Sequence, residues 1–399
     1  MKILFLSQRV PYPPDRGDKI TTYHVMRHLK ERHELVSGCF LEEPKEEGYA
    51  AKLRGMGVRV HGFPIRPRAR KLWALRALLT TQPITLPYFY DRRLANAVAS
   101  EVAQGVDLLL AYSSSMGQYF SPYPALPKIQ IFAELDSDKW LQYARNHSFP
   151  GSWIYGREHR RLLRFERELA HAVDACTVVS EVERELFLKQ IPGANVAILP
   201  NGVDLEAFRP GPEGAREPAT LLFTGVMDYG ANVDGMLWFH REIWPQLKQA
   251  IPQARLLIVG SRPVPAIRAL AASDVEVTGF VESTRPYFER ATVAIAPLRI
   301  ARGIQNKVLE AMASGLPTIS SPSAFSGIDA QPGRDLLVAD EPPAWVDALV
   351  GLLRDRERRE ALGKAARVRM ETAYRWDAIL GQLDHLIADA RARAAARAR

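Results

Sequence analysis

Cysteine is nearly absent, long apolar runs are missing, and the first strand lacks a dinucleotide fingerprint. Only Cys39 and Cys176 occur in 399 residues. Each stands in an apolar, strand-like stretch, so two buried reduced thiols are expected and a disulfide framework is not. The chain runs straight into an apolar segment, Ile3 to Leu6, with no signal-peptide core. No stretch approaches the roughly twenty apolar residues that a bilayer-crossing helix needs. Together these absences lead us to expect a cytoplasmic protein that at most rests on a membrane. No G-x-G-x-x-G follows the first strand, which argues against a tight dinucleotide turn. His24 and His28 are four apart, but no Glu stands between them in zincin order and no third ligand is apparent, so no metal site is expected. No nucleic-acid motif occurs, and basic and aromatic residues interleave in one helix only, so no nucleic-acid partner is expected.

What is present points to two α/β domains. A chain of this length exceeds one ordinary core. Its 47% hydrophobic and 25% charged residues are those of a globular protein. The net charge of +8 favours anionic partners. Lys2 to Ser7 reads as a strand, Gln8 to Asp18 as a loop ending in Gly17-Asp18, and Lys19 to Arg32 as a helix. The same grammar returns at Leu221 to Phe223, Gly225, and a helix from Asn232 to Trp244. Strand, glycine loop and helix open a doubly wound sheet, so two Rossmann-like domains are expected. Between them Pro200 to Pro218 carries four prolines and three glycines, a hinge composition. We expect domains at 1–200 and 201–374, followed by a last helix, 375–399.

Residues 292–317 carry the chemistry. Val293 to Ala296 is a short apolar run, a strand buried on both faces. Pro297 to Gly303 is a loop, and Gln305 to Ser314 has helical spacing, stopped by Gly315 and Pro317. A buried strand, a glycine loop and a helix N-terminus form an anion-binding device. Lys307 adds a point charge for phosphate. Glu310, one turn on, can accept hydrogen bonds from vicinal hydroxyls. A phosphate grip beside a hydroxyl grip suits a nucleotide sugar, while a plain solvated Lys–Glu pair is the other reading of that spacing.

Three further segments stand out. Glu134 to Trp140 places acids just past a strand's carboxyl end, where α/β sheets hold ligands, which makes Asp136 and Asp138 candidates for contacting acceptor hydroxyls or the reacting sugar. Arg66 to Leu79 sets basic residues beside Leu and Trp at helical spacing. It reads either as a helix on an anionic membrane surface or as a basic face over a core-packed Leu stripe. Ala390 to Arg399 alternates Ala and Arg, a fraying end or a second anionic-surface contact.

The run Gly303 to Pro317 (GIQNKVLEAMASGLP) closely resembles the donor-binding segment of retaining glycosyltransferases of family four. Pro200-Asn201-Gly202-Val203-Asp204 with Phe208 resembles the interdomain motif of that family. Tyr12-Pro13-Pro14 with Gly17-Asp18-Lys19, and Phe223 to Tyr229 with Asn232-Val233-Asp234, resemble bacterial exopolysaccharide sugar transferases. The resemblance implies the GT-B fold, two Rossmann-like domains facing across a cleft, with the donor on the second, the acceptor on the first, and the last helix, 375–399, packing back on the first. It implies transfer, with retention, from a nucleoside diphosphate sugar to a glycan or lipid-linked acceptor, with no cofactor beyond that donor. Donor contacts would fall at Gly225, Asn232, Arg302, Gly303, Ile304, Lys307, Leu309 and Glu310, acceptor-side contacts at Gly17, Asp18 and Asp138, and catalysis on Lys307, Glu310 and Asp136. The chain departs from the family at one point. The family has Glu, seven residues, then Glu, and here Arg302 stands at the first position. A guanidinium cannot accept a hydrogen bond, so it implies a phosphate contact or an acidic sugar. The family's Arg shortly after the Gly225 position is also missing, and Arg302 could supply that charge. A nucleotide-sugar epimerase and a non-catalytic sugar-nucleotide-binding protein are the alternatives.

Overall fold

The computed structural model describes residues 1–145, 147–212 and 214–397. Glu213 of the hinge-like segment, Asn146, and Ala398 and Arg399 at the end of the alternating tail lie outside the described residues. The chain divides into two units, Met1–Leu199 with Leu380–Arg399, and Pro200–Ile379.

The first unit holds a seven-stranded sheet. Its strands are β1 Lys2–Ser7, β2 Glu34–Leu41, β3 Arg59–Pro64, β4 Leu108–Tyr112, β5 Lys128–Ala133, β6 Ala175–Val178 and β7 Val196–Ile198. They lie in the order β3-β2-β1-β4-β5-β6-β7. All pairings are parallel, with Ile3 opposite Leu35 on one side and Leu108 on the other. Helices cover both faces of such a sheet, which is why β1 reads KILFLS with every residue buried and no polar alternation. One face packs Leu4, Phe40, Leu109, Phe132 and Phe187 into a single cluster.

The second unit holds six parallel strands, β8 Thr220–Thr224, β9 Arg255–Val259, β10 Val275–Val277, β11 Val293–Ala296, β12 Thr318–Ser320 and β13 Leu337–Val338. Their order is β10-β9-β8-β11-β12-β13. Each sheet therefore winds outward from its first strand and then reverses, at β1/β4 in one unit and β8/β11 in the other. In open α/β sheets that reversal leaves a crevice at the carboxyl ends of the strands.

Two segments differ from their sequence reading. Arg66 to Leu79 is not one helix: an α-helix, Pro67–Ala74, gives way to a 3-10 turn, Leu75–Leu79. The Arg157 guanidinium draws off the carbonyls of Ala77, Thr80 and Gln82, which diverts them from a continuing α ladder. The helix expected to end at Trp244 runs Gly230–Trp238, passes through a π turn at Phe239–Ile243, and resumes at Trp244–Ala250. Pro245 has no N–H to give to an earlier carbonyl, which loosens the ladder there. Cys39 and Cys176 are free and buried.

The last helix, Trp376–Arg397, is tied to the first unit from Leu380 onward. Leu383, Ile387 and Ala390 are buried. Asp384 accepts from His28 Nε2 at 2.9 Å, and Arg397 pairs with the buried Asp174. His28 is thus a hydrogen-bond partner in the packing of this helix.

Candidate active-site residues in each unit

In the second unit the residues converge at the β8/β11 reversal. Gly225 follows β8 and donates its N–H to Val259 O at 3.0 Å. A Cβ on Gly260 would lie 1.7 Å from Gly225 O, and its φ is +150°, so only glycine lets the two backbones touch. A Cβ on Gly225 would come within 2.7 Å of Asn232 Nδ2 and 3.1 Å of Lys307 Nζ. The bare Gly225 backbone is what leaves room for those two side chains.

Asn232 is buried in the first turn of helix Gly230–Trp238. Its Nδ2 donates to Val226 O at 2.9 Å, which turns Oδ1 toward Lys307 Nζ, 2.6 Å away. The same ammonium lies 4.3 Å from the ring centroid of the fully buried Phe223. Lys307 is therefore a cation held by a neutral amide and an aromatic face. Burial pushes its pKa down to about 7, against the pull of Glu310. Burial likewise pushes Glu310 up to about 7, against the pull of Lys307. An amine so placed, with a neutral amide as its hydrogen-bond partner, takes up and holds its proton when a phosphate comes beside it.

The loop after β11 is fixed from two sides. A Cβ on Gly235 would meet Pro297 O at 2.6 Å, so helix Gly230–Trp238 packs directly on the loop's first residue. Arg299 Nε bonds Asp234 at 2.9 Å, and Gln305 Nε2 bonds Arg302 O at 2.8 Å. Gly303 follows with φ +60°. Helix Asn306–Ala313 then starts at the strand ends, and Asn306 Oδ1 accepts from Asn201 Nδ2 at 3.0 Å. Lys307 and Glu310 are half-buried here, more enclosed than a solvated pair. Ile304 and Leu309 are buried, so any donor contact they make narrows to their main chain. Arg302 sits half-buried on the loop. Two more arginines lie on this unit's strand-end loops, Arg262 at 3.5 Å from Asp228 and Arg299 on Asp234. Spacing in the sequence did not reveal them, nor the Asn201–Asn306 link, because their partners lie on other loops.

In the first unit the β1/β4 reversal is bridged by Gln8, whose Nε2 donates to Ser113 Oγ at 2.7 Å and Ser115 Oγ at 2.9 Å. Asp136 opens helix Asp136–Arg145. Its Oδ2 accepts from Ser113 Oγ at 2.9 Å, Ser114 Oγ at 2.8 Å and Ser114 N at 3.3 Å. Behind it Glu166, with no exposed surface, accepts from Ser137 N at 3.3 Å while its Oε2 has no hydrogen-bond partner. Burial, reinforced by the nearby Asp136 charge, pushes the Glu166 carboxyl up to about 8. It therefore keeps a proton at neutral pH. Glu166 escaped the sequence reading because it looks like any polar residue in a basic helix. Asp138 is half-buried in the first turn of helix Asp136–Arg145.

Gly17 opens helix Gly17–Lys30. Asp18 is held on both oxygens, by Arg9 at 2.9 Å and Arg16 at 3.0 Å. Burial opposes its charge, but the two guanidiniums win and keep its carboxyl below the usual range. Arg9 also reaches Glu42 at 3.3 Å. Asp18 thus serves first as the anchor of an arginine pair, and Gln8, Ser113 and Asp136 form a separate polar group beside it on the sheet edge.

Two parallel sheets of this order, each with its polar residues at the reversal, define the GT-B class of glycosyltransferase. Residues 17–202 match the family model of the glycosyl transferase 4-like domain, and residues 218–355 match that of glycosyl transferases group 1. The chain belongs to the glycosyltransferases of the family-four type. It is 29% identical over 255 residues to a GDP-mannose-dependent alpha-(1-6)-phosphatidylinositol monomannoside mannosyltransferase of Mycobacterium tuberculosis, a match covering 57% of this chain and 65% of that protein. Among solved structures, sucrose-phosphate synthase from Thermosynechococcus elongatus aligns with a TM-score of 0.72 at 18% identity, over 97% of this chain and 98% of that one. Anabaena HepE, in complex with UDP and glucose, aligns with a TM-score of 0.70 at 14% identity, over 97% and 99%.

Proposed function

We propose that this protein transfers a sugar from a nucleoside diphosphate sugar to a glycan or lipid-linked glycan acceptor, with retention, in the synthesis of a cell-surface polysaccharide. One observation carries the reading: Lys307 Nζ, underpartnered and half-buried, 2.6 Å from Asn232 Oδ1 at the reversal of the second sheet. Departure of the diphosphate concentrates negative charge where that ammonium and the helix N-terminus lie, so both stabilise the transition state more than the ground state. As the bond from the anomeric carbon to the phosphate oxygen breaks, the acceptor oxygen bonds that carbon and its proton passes to the departing diphosphate. Glu310 holds the donor through its hydroxyls, and Asp136 orients the acceptor hydroxyl. Donor chemistry then suffices without a further cofactor.

The motif likeness to exopolysaccharide transferases supports the cell-surface role, and the two free thiols suit the reducing cytoplasm. Among the described residues no helix is long and apolar enough to cross a membrane. The mannosyltransferase relative is named for GDP-mannose and the HepE structure holds UDP, so the base is the first variable to test. The test is a panel of UDP- and GDP-sugars, read by diphosphate release with and without acceptor glycans and by donor-dependent thermal stabilisation. Donor turnover without acceptor would instead identify an epimerase. Stabilisation with no release and no conversion would identify a binding protein.

A further inference from the structure

The most exposed large apolar side chains of the first unit come from two segments far apart in sequence. Leu72, Trp73, Leu75 and Leu79 come from helix Pro67–Ala74 and the turn after it, with Leu72 71% and Leu79 91% exposed. Phe149 and Trp153, 80% and 54% exposed, come from the turn into helix Gly151–Ala172 and its first residues. The two segments are joined. Arg157 bonds the carbonyls of Ala77, Thr80 and Gln82, Arg161 bonds Thr80 O, and Glu158 accepts from Ile84 N and Thr85 N. Trp153 is one helical turn before Arg157, on the face that Arg157 turns toward residues 77–82.

The exposed charge of these two segments has one sign, the Glu158 that joins them being fully buried. No Asp or Glu occurs from Ile65 to Tyr90 or from Lys139 to Arg157. Arg66, Arg68, Lys71 and Arg76 are exposed in the first segment and Arg145 in the second. An aromatic group of Trp140, Tyr143, His147 and Tyr155 braces the turn that presents Phe149 and Trp153. The apolar side chains are thus carried on ordered elements and ringed by cations.

We propose that this surface docks on an anionic lipid bilayer, with Leu72, Leu79, Phe149 and Trp153 entering the headgroup boundary and the flanking Arg and Lys side chains meeting lipid phosphates. A bilayer supplies both things the surface asks for, hydrocarbon for Leu and aromatic side chains and negative charge around them. A second copy of the chain would bring these cations against one another. A nucleic acid would match the charge but leave the leucines in water. The inference stands apart from sugar transfer, since none of these residues belongs to the sheet-edge sites.

The test is cosedimentation of the full chain with vesicles of phosphatidylcholine alone and with added phosphatidylglycerol. Partition should be at least about tenfold greater on the anionic vesicles and should fall as salt rises from low to about 0.5 M. A Leu79→Ser, Phe149→Ser, Trp153→Ser triple variant, and separately Arg66→Gln, Arg68→Gln, Lys71→Gln and Arg76→Gln together, should each lose about tenfold in partition. Unchanged melting and nucleotide stabilisation would show that both variants are folded. Equal partition on neutral and anionic vesicles, or no partition on either, overturns the proposal. So does a dimer in sedimentation velocity that the Leu79→Ser variant abolishes, which would assign the surface to a second copy.

Discussion

The two sheets have the same strand order, yet their reversal points carry opposite chemistry. At β8/β11 the central group is a cation, Lys307, beside a neutral amide and an aromatic ring. At β1/β4 it is a carboxyl group, Asp136, accepting from serine hydroxyls and backed by the protonated Glu166. One topology thus carries at one reversal a group suited to phosphate and at the other a group suited to hydroxyls. The difference comes from a few residues at strand ends, because the sheet fixes where a ligand can sit and the loops fix what it can be.

The strongest way to break this contrast is to remove the cation. Lys307→Ala should lower kcat by roughly two to three orders of magnitude, the range expected for losing one preorganised transition-state donor. Donor affinity should fall much less, because the charge on the diphosphate grows as the glycosidic bond breaks. Steady-state kinetics with saturating donor separate the two. A raised KM with unchanged kcat would make Lys307 a uniform binder.

The first unit's contrast can be broken through Glu166. Its carboxyl titrates near 8 when folded and near 4.5 when unfolded, so the folded state binds more protons between those values. Its contribution is complete below pH 4.5 and is lost as pH rises through about 8. From pH 5 to pH 7 this amounts to about 3 kcal/mol for a fully titrating group. Glu166→Gln removes that slope, so the wild type should lose stability over this interval relative to the variant. Denaturant melts at the two pH values measure it. Equal slopes would mean that Glu166 is charged in the fold.

A smaller effect is expected from Glu310→Gln. A carboxylate that accepts donor hydroxyls contributes a charge-assisted bond, so calorimetry should show donor affinity weaker by about 1.5–3 kcal/mol. An unchanged affinity would reduce Glu310 to a structural neighbour of Lys307.

Most of the fold was legible because parallel strands buried on both faces are written as uninterrupted apolar runs, as in β1, β4 and β11. Lys307, Glu310, Asn232 and Gly225 were legible because they fall in local motifs whose spacing survives in the sequence. Glu166 and Gln8 were not, nor was the bond that ties Asn201 to Asn306. Each acts through partners 29, 105 or 105 residues away, and nothing local distinguishes a buried Glu in an Arg-rich helix from a solvated one. The same limit hid the break after Ala74, which depends on an arginine on a distant helix.

Arg302 sharpens the contrast and carries the smallest expected effect. It places a second cation on the loop of the phosphate-type site, at the position where the family resemblance implies a carboxylate. The guanidinium is donor-only, so it suits phosphate oxygens or a sugar carboxylate and cannot accept a bond from a neutral sugar hydroxyl. Phosphate is the favoured partner of Arg302, because the basic residue that the family resemblance places after Gly225 is missing from this chain. Because the residue is only half-buried, Arg302→Ala should weaken binding of bare nucleoside diphosphate and of whole donor alike, by about 1 kcal/mol. Titrating the variant with the nucleoside diphosphate, a neutral-sugar donor and a uronic-acid donor separates the cases. A loss confined to the uronic-acid donor would move Arg302 from phosphate to the sugar carboxylate. Parental affinity for all three would place its side chain outside donor binding, leaving Lys307 as the cation that grips the diphosphate.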